Sequence, residues 1–191
     1  RYYFVGDRGY GKSTILNYMA FSLYRIIDQQ KALPVYCSML GEAADEQSLE
    51  FTFFYSLLTG LFDVVRDLNS FGASVSKLVS VQRLTDAETE YKNALKKFGE
   101  VSFEFVYTAF EYQLRHLNVD LRPIAFLIDG LDKYEPEIVL KFLRKSQERL
   151  NTLISKYNCL FIHAADPTWV QTLETHEFSG VKGYHINLRG W

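Results

Sequence analysis

The sequence is poor in the residues that build covalent or metal-bound scaffolds. Among 191 residues it has only two cysteines, Cys37 and Cys159. Two isolated cysteines exclude a disulfide framework and a cysteine-ligated metal cluster, and they predict two buried, reduced thiols. Reduced thiols agree with a cytoplasmic location, which we expect for this chain.

Long apolar runs and a strong net charge are also missing. The longest apolar stretches, such as 124–128, have the length of a strand and are too short to span a bilayer. The formal net charge is −2, so no overall field draws the chain to nucleic acid or to an anionic membrane. We therefore expect no membrane partner, although a local basic patch is compatible with this balance.

The length suits one domain that is large enough to bury a substantial core. The chain begins at Arg1 directly in a strand pattern, without Met or a signal-like segment, and ends at Trp191 just after another strand pattern. We interpret residues 1–191 as one core domain taken from a longer protein.

A glycine-rich segment directly follows the first apolar strand pattern, at residues 2–5. It matches the pattern G-x-x-x-x-G-K-[ST] in full, as Gly6-Asp7-Arg8-Gly9-Tyr10-Gly11-Lys12-Ser13-Thr14. The backbone N–H groups of such a loop, the N-terminus of the following helix and the Lys12 ammonium all suit a phosphate chain. Ser13 would supply a hydroxyl ligand for Mg²⁺. This segment predicts binding of a nucleoside triphosphate.

Strand and helix patterns alternate along the rest of the chain, which is typical of an α/β fold with a parallel sheet. Residues 41–122, between the second and third strands, form an extended region with three predicted helices. The Phe side chains that recur at helical spacing there should be core residues. The predicted strands are 2–5, 34–40, 123–128, 160–164 and 184–188; the predicted helices are 13–27, 51–68, 85–99, 102–117, 136–154 and 168–175; 69–81 is predicted as a loop; and the predicted core Phe residues are Phe51, Phe54, Phe103 and Phe110.

Two carboxylates follow the third strand. Its apolar run ends on Asp129, and Asp132 comes one turn later. A carboxylate at the carboxyl end of a buried parallel strand lies at the edge of the sheet where ligands bind. We predict that Asp129 binds Mg²⁺ or its water, and that Asp132 orients the attacking water.

The glycine-rich loop and the strand ending in Asp129-Gly130-Leu131-Asp132 together resemble the P-loop NTPases of the AAA+ and STAND group, including origin-recognition-like ATPases. The resemblance covers nearly the whole chain. It implies a five-stranded parallel sheet, of order 5-1-4-3-2, sandwiched by helices. It also implies ATP and Mg²⁺ as ligands, a homo-oligomer in which a neighbour's arginine completes the site, and a helical lid and effector or recognition domains outside this chain. A protein or nucleic-acid partner would act through those domains.

The sequence departs from this group at two places near the site. Many members have an acidic residue directly after the second Asp, where this chain has Lys133. The fourth strand of the group often ends in a Thr-Ser-Arg-Pro-like run, where this chain has Ala164-Ala165-Asp166-Pro167. His163 or Asp166 would therefore have to sense the γ-phosphate.

The expected function is Mg²⁺-dependent ATP binding and hydrolysis that drives a conformational or assembly switch, as in innate or anti-phage defence. Two alternatives stay open: a nucleotide held as a structural or oligomerisation ligand with little hydrolysis, and an origin-recognition-like, DNA-associated ATPase. A GTPase would need D-x-x-G after the third strand and N/T-K-x-D later, and the sequence has neither at those places. The sequence likewise shows no Arg-bearing lid or acceptor pocket of a small-molecule kinase. The stripe Lys141, Arg144, Lys145 and Arg149 is more typical of a solvated helix face than of a nucleic-acid contact.

Overall fold

The computed structural model describes most of the chain. The described residues are 2–7, 9–25, 32–39, 41–71, 86, 89–90, 92–93, 102–117, 123–175 and 184–187. Most of the predicted helix 85–99, most of the predicted loop 69–81, and Arg8 lie outside them; the described residues of that helix, 86, 89–90 and 92–93, are helical.

The strands of the described residues form one sheet in which every pairing is parallel. The strands are β1 (Tyr2–Val5), β2 (Leu33–Ser38), β3 (Ile124–Asp129), β4 (Cys159–Ala165) and β5 (Tyr184–Asn187). The neighbour order is β2-β3-β4-β1-β5. Strands alternate with helices along the chain, which confirms the predicted parallel α/β character.

The sheet has five described strands in the neighbour order 5-1-4-3-2 that the resemblance implies, but the strands are unequal and only three of them are long. Three neighbouring strands, β2, β3 and β4, have six or seven residues and form the buried parallel centre. By contrast, β1 and β5 have four residues each. The two short strands extend the sheet beyond β4.

The helices cover this centre on both sides. On one side, helix α1 (Lys12–Arg25) packs against β2 and β3. On the other, helix α2 (Glu46–Phe71) lies directly on β2, because a Cβ built at Gly60 would be 2.8 Å from Cys37 Sγ. The helices are α1 (Lys12–Arg25), α2 (Glu46–Phe71), α3 (Phe103–Leu117), α4 (Pro136–Lys145), α5 (Gln147–Tyr157) and α6 (Pro167–Thr175).

Helix α2 begins with a reciprocal cap. The Ser48 amide donates to Asp45 Oδ1 over 2.8 Å, and the Asp45 amide donates to Ser48 Oγ over 3.1 Å. These bonds satisfy amides that a helix N-terminus leaves unpaired. The helix extends to Phe71, so the prediction of a loop starting at Asn69 is wrong for its first three residues.

The aromatic core lies between α2, α3 and the sheet. Phe54 and Phe110 are fully buried, and Phe51 and Phe103 pack partly buried against the same core, which confirms these four predictions. Phe126 of β3 stacks on Phe161 of β4 at 5.5 Å. Both cysteines are buried and free, as predicted, and burial raises the pKa of the Cys159 thiol to about 12.

The predicted helix 136–154 is wrong in one respect, because the structure divides it at Ser146 into α4 and α5. Ser146 is fully buried, and its Oγ donates to Glu50 Oε1 of α2 over 2.7 Å. This bond holds the backbone at the position where the helix axis is interrupted. Within the described residues, no helix combines the length and apolarity needed to cross a membrane.

Candidate functional site

The glycine-rich loop connects the end of β1 to the start of α1. Gly9 and Gly11 have φ angles of +91° and +71°, which L side chains rarely adopt, so the turn needs glycine at both positions. The Gly6 amide donates to the Ala165 carbonyl over 3.2 Å and thereby ties the loop to the end of β4. The loop is therefore anchored to the sheet before it reaches the helix.

Lys12, the first residue of α1, folds back over this loop. Its Nζ donates to the Gly6 carbonyl over 2.7 Å and to the Asp7 carbonyl over 3.2 Å. Nζ also lies 3.8 Å from Asp132 Oδ2, and both side chains are mostly buried. The ammonium group is thus held between the loop and the turn that follows β3.

Asp129 ends β3 and is 8% exposed. Its carbonyl accepts from the Met39 amide over 2.8 Å, and its Oδ2 accepts from the Tyr36 hydroxyl over 3.0 Å. The chain then turns at Gly130, whose φ is +87°. These contacts join the carboxylate to β2 through both its backbone and its side chain.

Asp132 lies in the short 3₁₀ turn Leu131–Lys133. Burial raises the pKa of its carboxyl above the ordinary value; Lys12 opposes this shift, while the carboxylates of Asp129 and Asp166 add to it. Tyr134 anchors the turn, because its hydroxyl donates to the Gly41 carbonyl over 3.0 Å and its carbonyl accepts from Trp169 Nε1 over 3.1 Å.

These groups meet in one cleft of about 640 Å³. The cleft brings together most of the predicted loop residues and both predicted carboxylates, and it adds Lys133 and Asp166. Its three carboxylates outnumber its two ammonium groups. Its lining consists of Gly9, Gly11, Lys12, Ser13, Thr14, Asp129, Asp132, Lys133 and Asp166.

Most of the other predicted site residues do not line this cleft. Gly6, Asp7 and Tyr10 belong to the loop but do not line this cleft, and Arg8 lies outside the described residues. His163 is 3% exposed in β4 and is not part of the cleft lining. Asp166 caps α6, since its Oδ1 accepts from the Thr168 amide over 2.9 Å. Of the two candidate sensors, only Asp166 therefore reaches the cleft.

The oxygen groups of the cleft suit Mg²⁺ rather than a metal held entirely by protein. Ser13 and Asp129, which we predicted as the metal ligands, offer a hydroxyl and a carboxylate. Mg²⁺ commonly takes one or two protein oxygens and completes its shell with water and substrate phosphates. Among the described residues, no group of three or more His, Cys, Asp and Glu could hold a metal ion. The residues present therefore fit Mg²⁺ that arrives with a phosphate ligand.

A second, shallower cleft of about 430 Å³ adjoins the first. The two clefts share Ser13 and Thr14, and the second adds Asn17, Tyr18 and Tyr36. Sequence reasoning did not identify Tyr36, because its link to Asp129 depends on the pairing of β2 with β3. The register of that pairing, in which Ser38 lies opposite Asp129, is the signal that places Tyr36 on the same face.

The comparisons with known proteins add no further constraint. A scan against models of protein families gave no match, and a search of curated proteins gave none either. The geometry of the cleft is therefore the basis of the function proposed below.

Proposed function

We propose that the chain binds ATP with Mg²⁺ in the first cleft and hydrolyses it. The observation that carries this proposal is the meeting of Lys12, Ser13, Asp129 and Asp132 in one cleft at the N-terminus of α1. A cation, a hydroxyl and two carboxylates are the groups that phosphoryl transfer to water uses. Lys12 and Ser13 are more than a hundred residues from Asp129 and Asp132 in the sequence, and the fold brings the two pairs together.

The residues of the cleft have different roles, which follow from their chemistry. The loop amides and the N-terminus of α1 favour the negative charge of a phosphate chain. Lys12 exchanges its bonds to the Gly6 and Asp7 carbonyls for phosphate oxygens when the ligand enters. Ser13 and Asp129 would hold Mg²⁺, which would neutralise part of the phosphate charge.

Asp132 orients the attacking water and accepts its proton in this proposal. A carboxyl whose pKa is raised by burial is a stronger base than an ordinary aspartate. Its ion pair with Lys12 opposes that role while the cleft has no phosphate, because the ammonium stabilises the charged form. If Lys12 moved onto phosphate, this ion pair would be broken and Asp132 would be free to bind the attacking water.

The proposal extends to a switch in an oligomer, in keeping with the AAA+ and STAND resemblance. Three carboxylates against two ammonium groups leave the cleft short of positive charge for a triphosphate. Mg²⁺ supplies part of that charge, and an arginine from a neighbouring copy would supply the rest. Hydrolysis would then be fast only in the assembled protein.

A second candidate is a nucleotide held as an assembly ligand with little hydrolysis. Lys133 favours it, because this ammonium lines the cleft directly after Asp132, where an acidic residue would assist proton transfer. Single-turnover kinetics on the assembled full-length protein separates the two functions. Release of phosphate within a single turnover supports hydrolysis, whereas a stable bound triphosphate supports the assembly ligand.

Calorimetric titration of ATP with Mg²⁺ into this chain tests binding itself. We expect Lys12→Ala to weaken binding about 100-fold or more, because two charge-assisted bonds to phosphate are lost. Lys141→Ala, on the exposed side of α4, is the matched control and should leave the affinity unchanged. Equal affinities of the wild-type chain and Lys12→Ala would overturn the proposal.

A further inference from the structure

The Tyr36 hydroxyl reaches the carboxylate that we assign to the metal. Tyr36 lies in β2, and its Oη donates to Asp129 Oδ2 over 3.0 Å across 93 residues of sequence. Asp129 is buried, and Tyr36 is half-buried. A hydrogen bond from a hydroxyl to a buried carboxylate is charge-assisted and fixes the orientation of the acceptor.

The surroundings of Tyr36 place it beside the other predicted metal ligand as well. Its side chain lines the second cleft together with Ser13 and Thr14 of α1. Ser13 and Asp129 both line the first cleft, so Tyr36 adjoins the two residues from the side of β2.

We propose that Tyr36 is a positioning residue, which holds Asp129 Oδ2 so that the carboxylate presents its other oxygen to the Mg²⁺ of the nucleotide. This inference depends on the proposed nucleotide site. Residues that hydrogen-bond a metal ligand orient it and affect metal affinity about 10–100-fold when they are removed. Tyr36 acts through Asp129 and contacts neither the phosphate nor the water.

Binding of Mn²⁺, measured by electron paramagnetic resonance in the presence of ATP, provides a readout that is independent of turnover. We expect Tyr36→Phe to weaken Mn²⁺ binding about tenfold. The affinity for ATP without a divalent ion should stay unchanged, which also shows that the variant is folded. Tyr18→Phe is the matched control, since Tyr18 lines the same second cleft but is 70% exposed.

A double variant tests whether the effect passes through Asp129. Asp129→Asn alone should weaken Mn²⁺ binding, and adding Tyr36→Phe to it should cause no further loss, because the two residues act as one unit. Additive losses, or unchanged Mn²⁺ binding in Tyr36→Phe, would overturn the role of Tyr36. Failure of the wild-type chain to bind ATP would overturn the proposed function instead, so the two failures are distinguishable.

Discussion

Lys12 Nζ and Asp132 Oδ2 lie 3.8 Å apart in the cleft, and each side chain is less than one fifth exposed. This proximity does not make the ionised form of Asp132 favourable overall, because burial outweighs the attraction and its pKa is raised. The carboxylate therefore costs stability at neutral pH. Polar groups that are unfavourable for stability are common where function requires them.

Asp132→Asn should raise the thermal unfolding midpoint at pH 7. A carboxyl with a raised folded-state pKa stabilises the fold below its unfolded pKa of about 3.9, and this stability is lost as pH rises through the folded-state pKa. The gain of the variant should therefore be largest at neutral pH and shrink as pH falls toward that of the unfolded carboxyl. Calorimetric scans from acid to neutral pH measure this difference.

Asp45 provides a control, because its pKa is shifted in the opposite direction to that of Asp132. Bonds from Ser48 at the cap of α2 lower the pKa of Asp45, so its charge contributes stability above the unfolded pKa. Asp45→Asn should therefore lower the midpoint slightly at pH 7 and lose this effect in acid. A lower midpoint for Asp132→Asn at pH 7 would show instead that the pair with Lys12 outweighs the cost of burial.

Asp129→Asn should spare ATP binding more than turnover. An amide oxygen in place of Oδ2 still accepts from Tyr36, so the local fold is kept, but the charge for the metal is lost. We expect turnover to fall about 100-fold or more, since even residues that only support a metal ligand affect activity or affinity about 10–100-fold. Phosphate release and ATP titration measure the two effects. Glu137→Gln, on the exposed side of α4, is the control, and equal turnover of Asp129→Asn and wild type would contradict the metal role.

The groups of the cleft could be predicted from the sequence because each lies in a contiguous pattern. Glycines at fixed offsets define the loop, and an apolar run that ends in an acid marks Asp129. The contact between Tyr36 and Asp129 could not be predicted, since it spans 93 residues and depends on strand order and register. The roles of these residues in binding and hydrolysis stay predictions.

The basic stripe on α4 and α5 also makes contacts with a residue distant in the sequence, which could not be predicted. Lys141, Arg144 and Lys145 are exposed, as expected for a solvated face. Lys145 and Arg149 also place their charged ends 3.1 Å and 2.9 Å from the buried Glu50, which was not predicted. Helical spacing identifies which residues share a face, but not whether a carboxylate from a distant helix meets that face. Ser146, where the predicted helix divides, also bonds Glu50.

Glu50→Gln should therefore destabilise the fold without affecting the cleft. Glu50 is 3% exposed and joins α2 to the junction of α4 and α5 through Ser146, Lys145 and Arg149. Loss of its charge leaves two cations without their buried counter-charge, and we expect a loss of about 1–2 kcal/mol in the free energy of unfolding. Urea denaturation measures this loss. Glu104→Gln is the matched control, because Glu104 is 73% exposed beside the same Arg149 and its pair should contribute little.

Gly60→Ala tests the contact between α2 and β2. Helix propensity alone favours the alanine by about 1 kcal/mol. The added Cβ would lie 2.8 Å from the Tyr36 carbonyl and 2.8 Å from Cys37 Sγ, and backbone at that distance cannot yield without moving β2. Because overpacking of this kind costs about 1–3 kcal/mol, we expect a net loss of stability in urea denaturation. Thr59→Ala, one residue earlier on α2, should change stability little, whereas a gain in Gly60→Ala would show that α2 does not lie this close to the sheet.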